Sequence, residues 1–157
     1  MENLEFRFLT TLVFTAIFGA FGIYHLLSYL MLRQRILLHY CIVIFGLALH
    51  WSLSFFIHGS YGDSMAVFAD KASLTTAMIT TFGLLMFTRD YLNITSGRYP
   101  GLSKAYHFFM IVVAGLPLLH WANNLITRSM GLNDIIVMLA AIIAMATIFL
   151  NIFSGFQ

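Results

Sequence analysis

The stretch FLTTLVFTAIFGAFGIYHLLSYLMLRQRILLHYCIVIFGLALHWSLSFFIH, residues 8–58, has one charged interruption, the triplet Arg33-Gln34-Arg35. Before it, 25 uncharged residues separate Arg7 from Arg33, and after it 27 separate Arg35 from Asp63. A bilayer core of roughly 30 Å is crossed by about 20 helical residues, so each side is long enough to span it once. So short a connection forces the two spans into an antiparallel hairpin.

The same spacing of charges continues outward from the hairpin. Lys71 to Arg89 encloses 17 uncharged residues, Lys104 to Arg128 encloses 23, and 23 more follow Asp134. With 61% hydrophobic and 9% charged residues in a chain of 157, a soluble globular fold is excluded, because a domain of this size cannot hide so much apolar surface from water. The reading is all-α: a polytopic membrane helix bundle of five transmembrane helices at about 8–32, 36–58, 66–88, 105–122 and 135–153, forming a single domain over 1–157. The third span is the least apolar, with Thr75, Thr76, Thr80 and Thr81. It reaches full length only if Asp70 and Lys71 sit among the headgroups, where Lys can snorkel. Pro117 is expected to kink the far half of the fourth span.

Orientation follows from the loops. With the N-terminus outside, the inner loops hold Arg33, Arg35, Arg89, Arg98 and Lys104 against Asp90 alone. The outer segments then hold Arg7, Lys71 and Arg128 against Glu2, Glu5, Asp63, Asp70 and Asp134. The positive-inside rule favours N-out, C-in. The basic residues flank apolar runs in ones and twos, so the net charge of +2 does not describe a nucleic-acid surface. The N-terminus, with Glu2, Glu5 and Arg7, lacks a positive n-region, and the apolar run after it is too long for a cleaved signal. The lone Cys41 allows no intrachain disulfide. The fifth span ends at Asn151-Ile152-Phe153 without a basic anchor, as in a chain cut short at its C-terminus within a larger bundle.

Catalytic signatures are absent: there is no phosphate-binding glycine loop, no His-Glu-x-x-His and no Gly-x-Ser-x-Gly. All six acids lie at span ends or in loops, so no intramembrane carboxylate offers a proton or ion site. The chain is not expected to be an enzyme by itself.

The polar residues inside the spans are the candidates for binding. His50, Ser54 and His58 recur every four residues and form a polar stripe on the outer half of span two, facing the bundle or a wet pocket. Tyr24, His25 and Ser28 cluster in span one beside Gly19, Ala20 and Gly22, small residues that permit close helix approach. His120 lies in the outer part of span four. The bland reading of all of them is interhelical hydrogen bonding, with no bound cofactor or metal. A second reading is a haem-binding electron-transfer subunit: His39 and His107 lie close to the inner surface, and His50 and His120 are level with each other further out. Two pairs of imidazoles on facing helices could ligate haem b. A third is a small transporter or membrane assembly subunit.

Two segments carry a family resemblance. The run FGIYHLLSYLMLRQRILLHYCIVIFGLALHW, residues 21–51, combines a Tyr-His pair late in the first helix, a minimal basic turn and an aromatic-rich second helix. It resembles the opening hairpin of the seven-transmembrane receptors with diverse intracellular signalling modules (7TMR-DISM). The segment MFTRDYLNITSGRYPGLSKAYHF, residues 86–108, is similar to that family's loop into helix four. The resemblance covers helices one to five of a seven-helix bundle. It implies the sensing part of a signal-transduction receptor in the bacterial cytoplasmic (inner) membrane, passing helix movements to a histidine kinase, diguanylate cyclase or phosphatase module. The implied partners are the lipid bilayer, helices six and seven, that cytoplasmic domain and a second copy in a homodimer. Only a few residues precede the first helix, so the outer sensor domain that the family pattern includes is not expected here.

Overall fold

A computed structural model describes the backbone of residues 2–58, 63–127 and 129–156, and the side chains of residue 6 and of residues 8–53, 68–127 and 129–156. Helix makes up 91% of the structure, and no strand occurs among the described residues. The elements are α1 (Glu2–Leu32), α2 (Arg35–His58), α3 (Asp63–Tyr91), α4 (Pro100–Ala122) and α5 (Met130–Gly155), with a π-helical turn over Asn123–Thr127 continuing α4.

Four of the helix boundaries have a clear local cause. Arg33 closes α1 in the left-handed conformation, φ 54°, with its N–H on the Tyr29 carbonyl at 2.7 Å. The next helix begins two residues later, so the turn expected from the sequence contracts to Arg33 and Gln34. Asn93 ends α3 at φ 51°, a conformation that Asn tolerates better than most side chains. Around it, Ile94 N–H bonds the Arg89 carbonyl at 2.9 Å and Asn93 N–H bonds the Asp90 carbonyl at 3.2 Å, the paired bonds of a Schellman cap. Buried Ile94 supplies the apolar contact such caps favour.

Pro100 stands at the first position of α4, where its missing N–H costs nothing, so this helix starts five residues before the expected 105 and takes Lys104 into its opening turns. Ser129 caps α5 by accepting from Leu132 N–H at 3.3 Å, which likewise advances that helix from 135 to Met130. Among the described residues, four helical stretches are long and apolar enough to cross a membrane: Phe8–Leu32, Arg35–Leu53, Pro100–Thr127 and Met130–Gly155. Helix α3, expected as the remaining span, is 29 residues long but carries Asp70, Lys71, Arg89 and Asp90 and is not among the four.

The chain divides into two compact units, residues 1–80 and 81–157, with the boundary inside α3. In the first unit, α1 and α2 form the antiparallel hairpin. Phe14 stacks on Trp51 with ring centroids 4.9 Å apart, and His25 meets Tyr40 edge-on at 4.5 Å. Between them Gly22 is buried, and a Cβ there would lie 2.8 Å from the Phe45 ring. Gly46 gives α3 the same close approach, since a Cβ on it would collide with the Thr80 hydroxyl. In the second unit α4 and α5 pack through Tyr106, Val113, Ile136, Ala140 and Thr147, all buried.

Candidate functional site

The polar side chains within the spans separate into three groups. The first lies in the 1–80 unit. Nδ1 of His50 is 3.2 Å from Oγ1 of Thr76, linking α2 to α3. Because the Thr76 hydroxyl donates to the Ser73 carbonyl at 2.8 Å, it accepts from His50, which places a proton on Nδ1. Close by, Leu26, Cys41, Phe45, Gly46, Thr76 and Ile79 line an apolar cleft of ≈ 270 Å³. The side chains of Ser54 and His58, the other members of the expected stripe, lie outside the described residues. Tyr24 and His25, read together from the sequence, meet edge-on with ring centroids 5.1 Å apart, and His25 also meets Tyr40 at 4.5 Å, while Tyr24 is 64% exposed. Ser28 bonds back to the Tyr24 carbonyl at 2.9 Å.

The second group joins α4 to α5 and was not anticipated. The Tyr106 hydroxyl, fully buried, lies 2.7 Å from Oδ1 of Asn151 and 3.2 Å from Oγ of Ser154, which in turn donates to the Leu150 carbonyl at 2.6 Å. Thr147 is buried one turn before Asn151. The available signal was an Asn inside an apolar helix, which in a membrane points to a partner on a neighbouring helix.

The third group surrounds the π turn. His120 is 3% exposed, and its Nε2 lies 3.1 Å from Asn124 Nδ2. Asn123 is 4% exposed and donates through Nδ2 to the Ser129 carbonyl at 3.0 Å. A π turn inside a helix often marks a functional position.

The four histidines of the haem reading are differently placed. His39 and His120 are buried, His50 is half-buried and faces Thr76, and His107 is exposed with Nδ1 on its own helix's Ser103 carbonyl at 2.9 Å. Among the described residues, no group of three or more His, Cys, Asp or Glu side chains could hold a metal ion.

The family model for 7TM diverse intracellular signalling matches residues 7–157. The chain belongs to the 7TM diverse intracellular signalling family. The match runs from the first turns of α1 through α5, and it is the family that the 21–51 and 86–108 segments resemble. No curated protein and no solved structure matches the chain. A 7TM diverse intracellular signalling domain is a membrane sensory domain and is not itself catalytic. A sensory domain has a use for buried polar groups on packed helices, because they give helix pairs discrete hydrogen-bonded arrangements that a stimulus can bias.

Proposed function

We propose that this chain is the membrane-sensing part of a bacterial signalling receptor, held in the cytoplasmic membrane with its N-terminus outside, and that it relays helix movement to a cytoplasmic output module. The family match over 7–157 carries this reading. The distribution of charge supports the orientation: Arg33, Arg35, Arg89, Arg98 and Lys104 then share the cytoplasmic side.

The relay needs an element with two arrangements of similar energy. Helix α4 has the features for one. Pro117 has no N–H to give the preceding turn, and six residues later the hydrogen bonding shifts to the π pattern over Asn123–Thr127. Sliding that extra residue along the helix would turn the outer end of α4 against α5 while the Tyr106–Asn151 contact anchors the other end.

The test is the gene's reading frame together with its deletion. A frame that continues into further spans and a kinase, cyclase or phosphatase, with altered phosphorylation or cyclic-dinucleotide level on deletion, is expected. A frame without such a module and a deletion that leaves both outputs unchanged overturn the proposal.

A further inference from the structure

The end of the second unit at which α4 begins and α5 finishes holds an open groove of ≈ 420 Å³. Leu102 and Ala105 of α4 and Leu150 and Phe153 of α5 give it an apolar wall, while Arg98 and Tyr99, from the segment before α4, form its rim. The Tyr106–Asn151 contact holds this geometry, since it ties the second turn of α4 to the closing turns of α5 beside the groove. Both helices are long and apolar enough to cross a membrane, so this end lies at the level of the lipid headgroups.

The rim is positively charged and uncompensated. Arg98 is exposed, and its guanidinium lies over the Tyr99 ring, 5.2 Å from the centroid. Stacking uses the face of the guanidinium and leaves the N–H groups, which lie in its plane, for an anion. The acid nearest to it in sequence, Asp90, is held by Arg89 at 3.1 Å. Among the described residues no acid lines the groove, and Lys104, exposed in the next turn of α4, adds a second positive charge. Deeper in the spans, Phe109 follows Ala105 and Ala146 precedes Leu150 by one turn on the same helix faces, and both are half-buried. An apolar chain entering the groove thus continues along apolar side chains.

We propose that this groove holds one anionic phospholipid, with its phosphate on the Arg98 guanidinium and an acyl chain along Leu102, Ala105, Leu150 and Phe153. The ammonium of a zwitterionic headgroup would meet two cations and no acid, so phosphatidylglycerol is preferred to phosphatidylcholine. A soluble acidic peptide would match the cations but leave the apolar wall uncovered. The inference requires only that α4 and α5 cross a membrane, and it holds whichever way the chain is oriented and whatever its output.

Native mass spectrometry of the chain released from detergent micelles reads the bound lipid directly, with dioleoyl phosphatidylglycerol and dioleoyl phosphatidylcholine as probes. Retention of one phosphatidylglycerol, saturating at a lower concentration than phosphatidylcholine and raising the thermal midpoint, is expected. Arg98→Gln should weaken that binding about fivefold, the contribution of one basic side chain at an anionic headgroup. Arg35→Gln, which removes a charge from the other unit, should leave it unchanged. Ala105→Leu, which narrows the groove without touching a charge, should weaken it as well. Equal affinity for the two lipids, an equal loss in Arg35→Gln, or undiminished binding in Arg98→Gln or Ala105→Leu overturns the site. Displacement of the lipid by an equal concentration of glycerol 3-phosphate or of a hexaglutamate peptide overturns the lipid as its occupant.

Discussion

The hydroxyl of Tyr106 lies 2.7 Å from Oδ1 of Asn151, joining the opening turns of α4 to the closing turns of α5 across 45 residues of chain. Neither residue type is costly near a membrane surface, but Tyr106 is buried and Asn151 half-buried, so the contact is satisfied from within the protein. An interhelical hydrogen bond in a membrane is worth about 0.6 kcal/mol on average and up to about 1.7.

Removing the two sides of this contact should not cost the same. Tyr106→Phe leaves Asn151 with both polar atoms unsatisfied, since its Nδ2 already has no partner. Asn151→Leu removes that orphan together with the bond. Unfolding in mixed detergent should show Tyr106→Phe destabilised by about 1–2 kcal/mol and Asn151→Leu by less. The reverse order would mean that the bond does not form.

Gly46 should be intolerant of a side chain, because a Cβ there meets the Thr80 hydroxyl and comes within 3.3 Å of the Thr80 Cα and Cβ. Gly46→Ala should destabilise the chain by about 1–3 kcal/mol, as overpacking does. Thr80→Ala in the same chain should recover part of the loss, because the nearest atom is the one it removes. At Gly22 the obstacle is the Phe45 ring, which can swing, so Gly22→Ala should cost less. Thermal midpoints of the three variants check the order.

The hairpin turn carries a strained residue. Arg33 is held at φ 54°, where a non-glycine residue pays about 1 kcal/mol or more. Arg33→Gly should raise the unfolding midpoint despite the loss of a charge. Asn93→Gly, at φ 51°, should change it little, because Asn already accepts this conformation. An Arg33→Gly protein less stable than the parent would mean that the side chain contributes more than the backbone costs.

The purified protein should show no Soret band. The Nε2 lone pair of His120 faces the Asn124 side-chain amide nitrogen at 3.1 Å, so an iron there would have to displace that hydrogen bond. Absorbance near the haem maximum that disappears in His120→Ala would restore the electron-transfer reading.

The spacing of 14 charges was enough to mark out five helices and the tight turn between the first two, because hydropathy and helix length are properties of consecutive residues. The Phe21–Trp51 and Met86–Phe108 runs were enough to suggest the family, since both combine turn chemistry with helix pattern in a single stretch. Helix starts were less legible. Lys104 and Asp134 read as loop charges, but Pro100 and Ser129 draw them into α4 and α5, where charged side chains near a helix end still reach water. Which polar side chains meet was decided only by tertiary structure. His50 and Thr76 lie 26 residues apart, and Tyr106 and Asn151 lie 45 apart, so their contact depends on how each helix is rotated about its axis and how far it slides along its neighbour. The π turn is of the same kind, for one extra residue per turn shifts every later side chain round the helix, and no local pattern in Asn123-Asn124-Leu125-Ile126-Thr127 announces it.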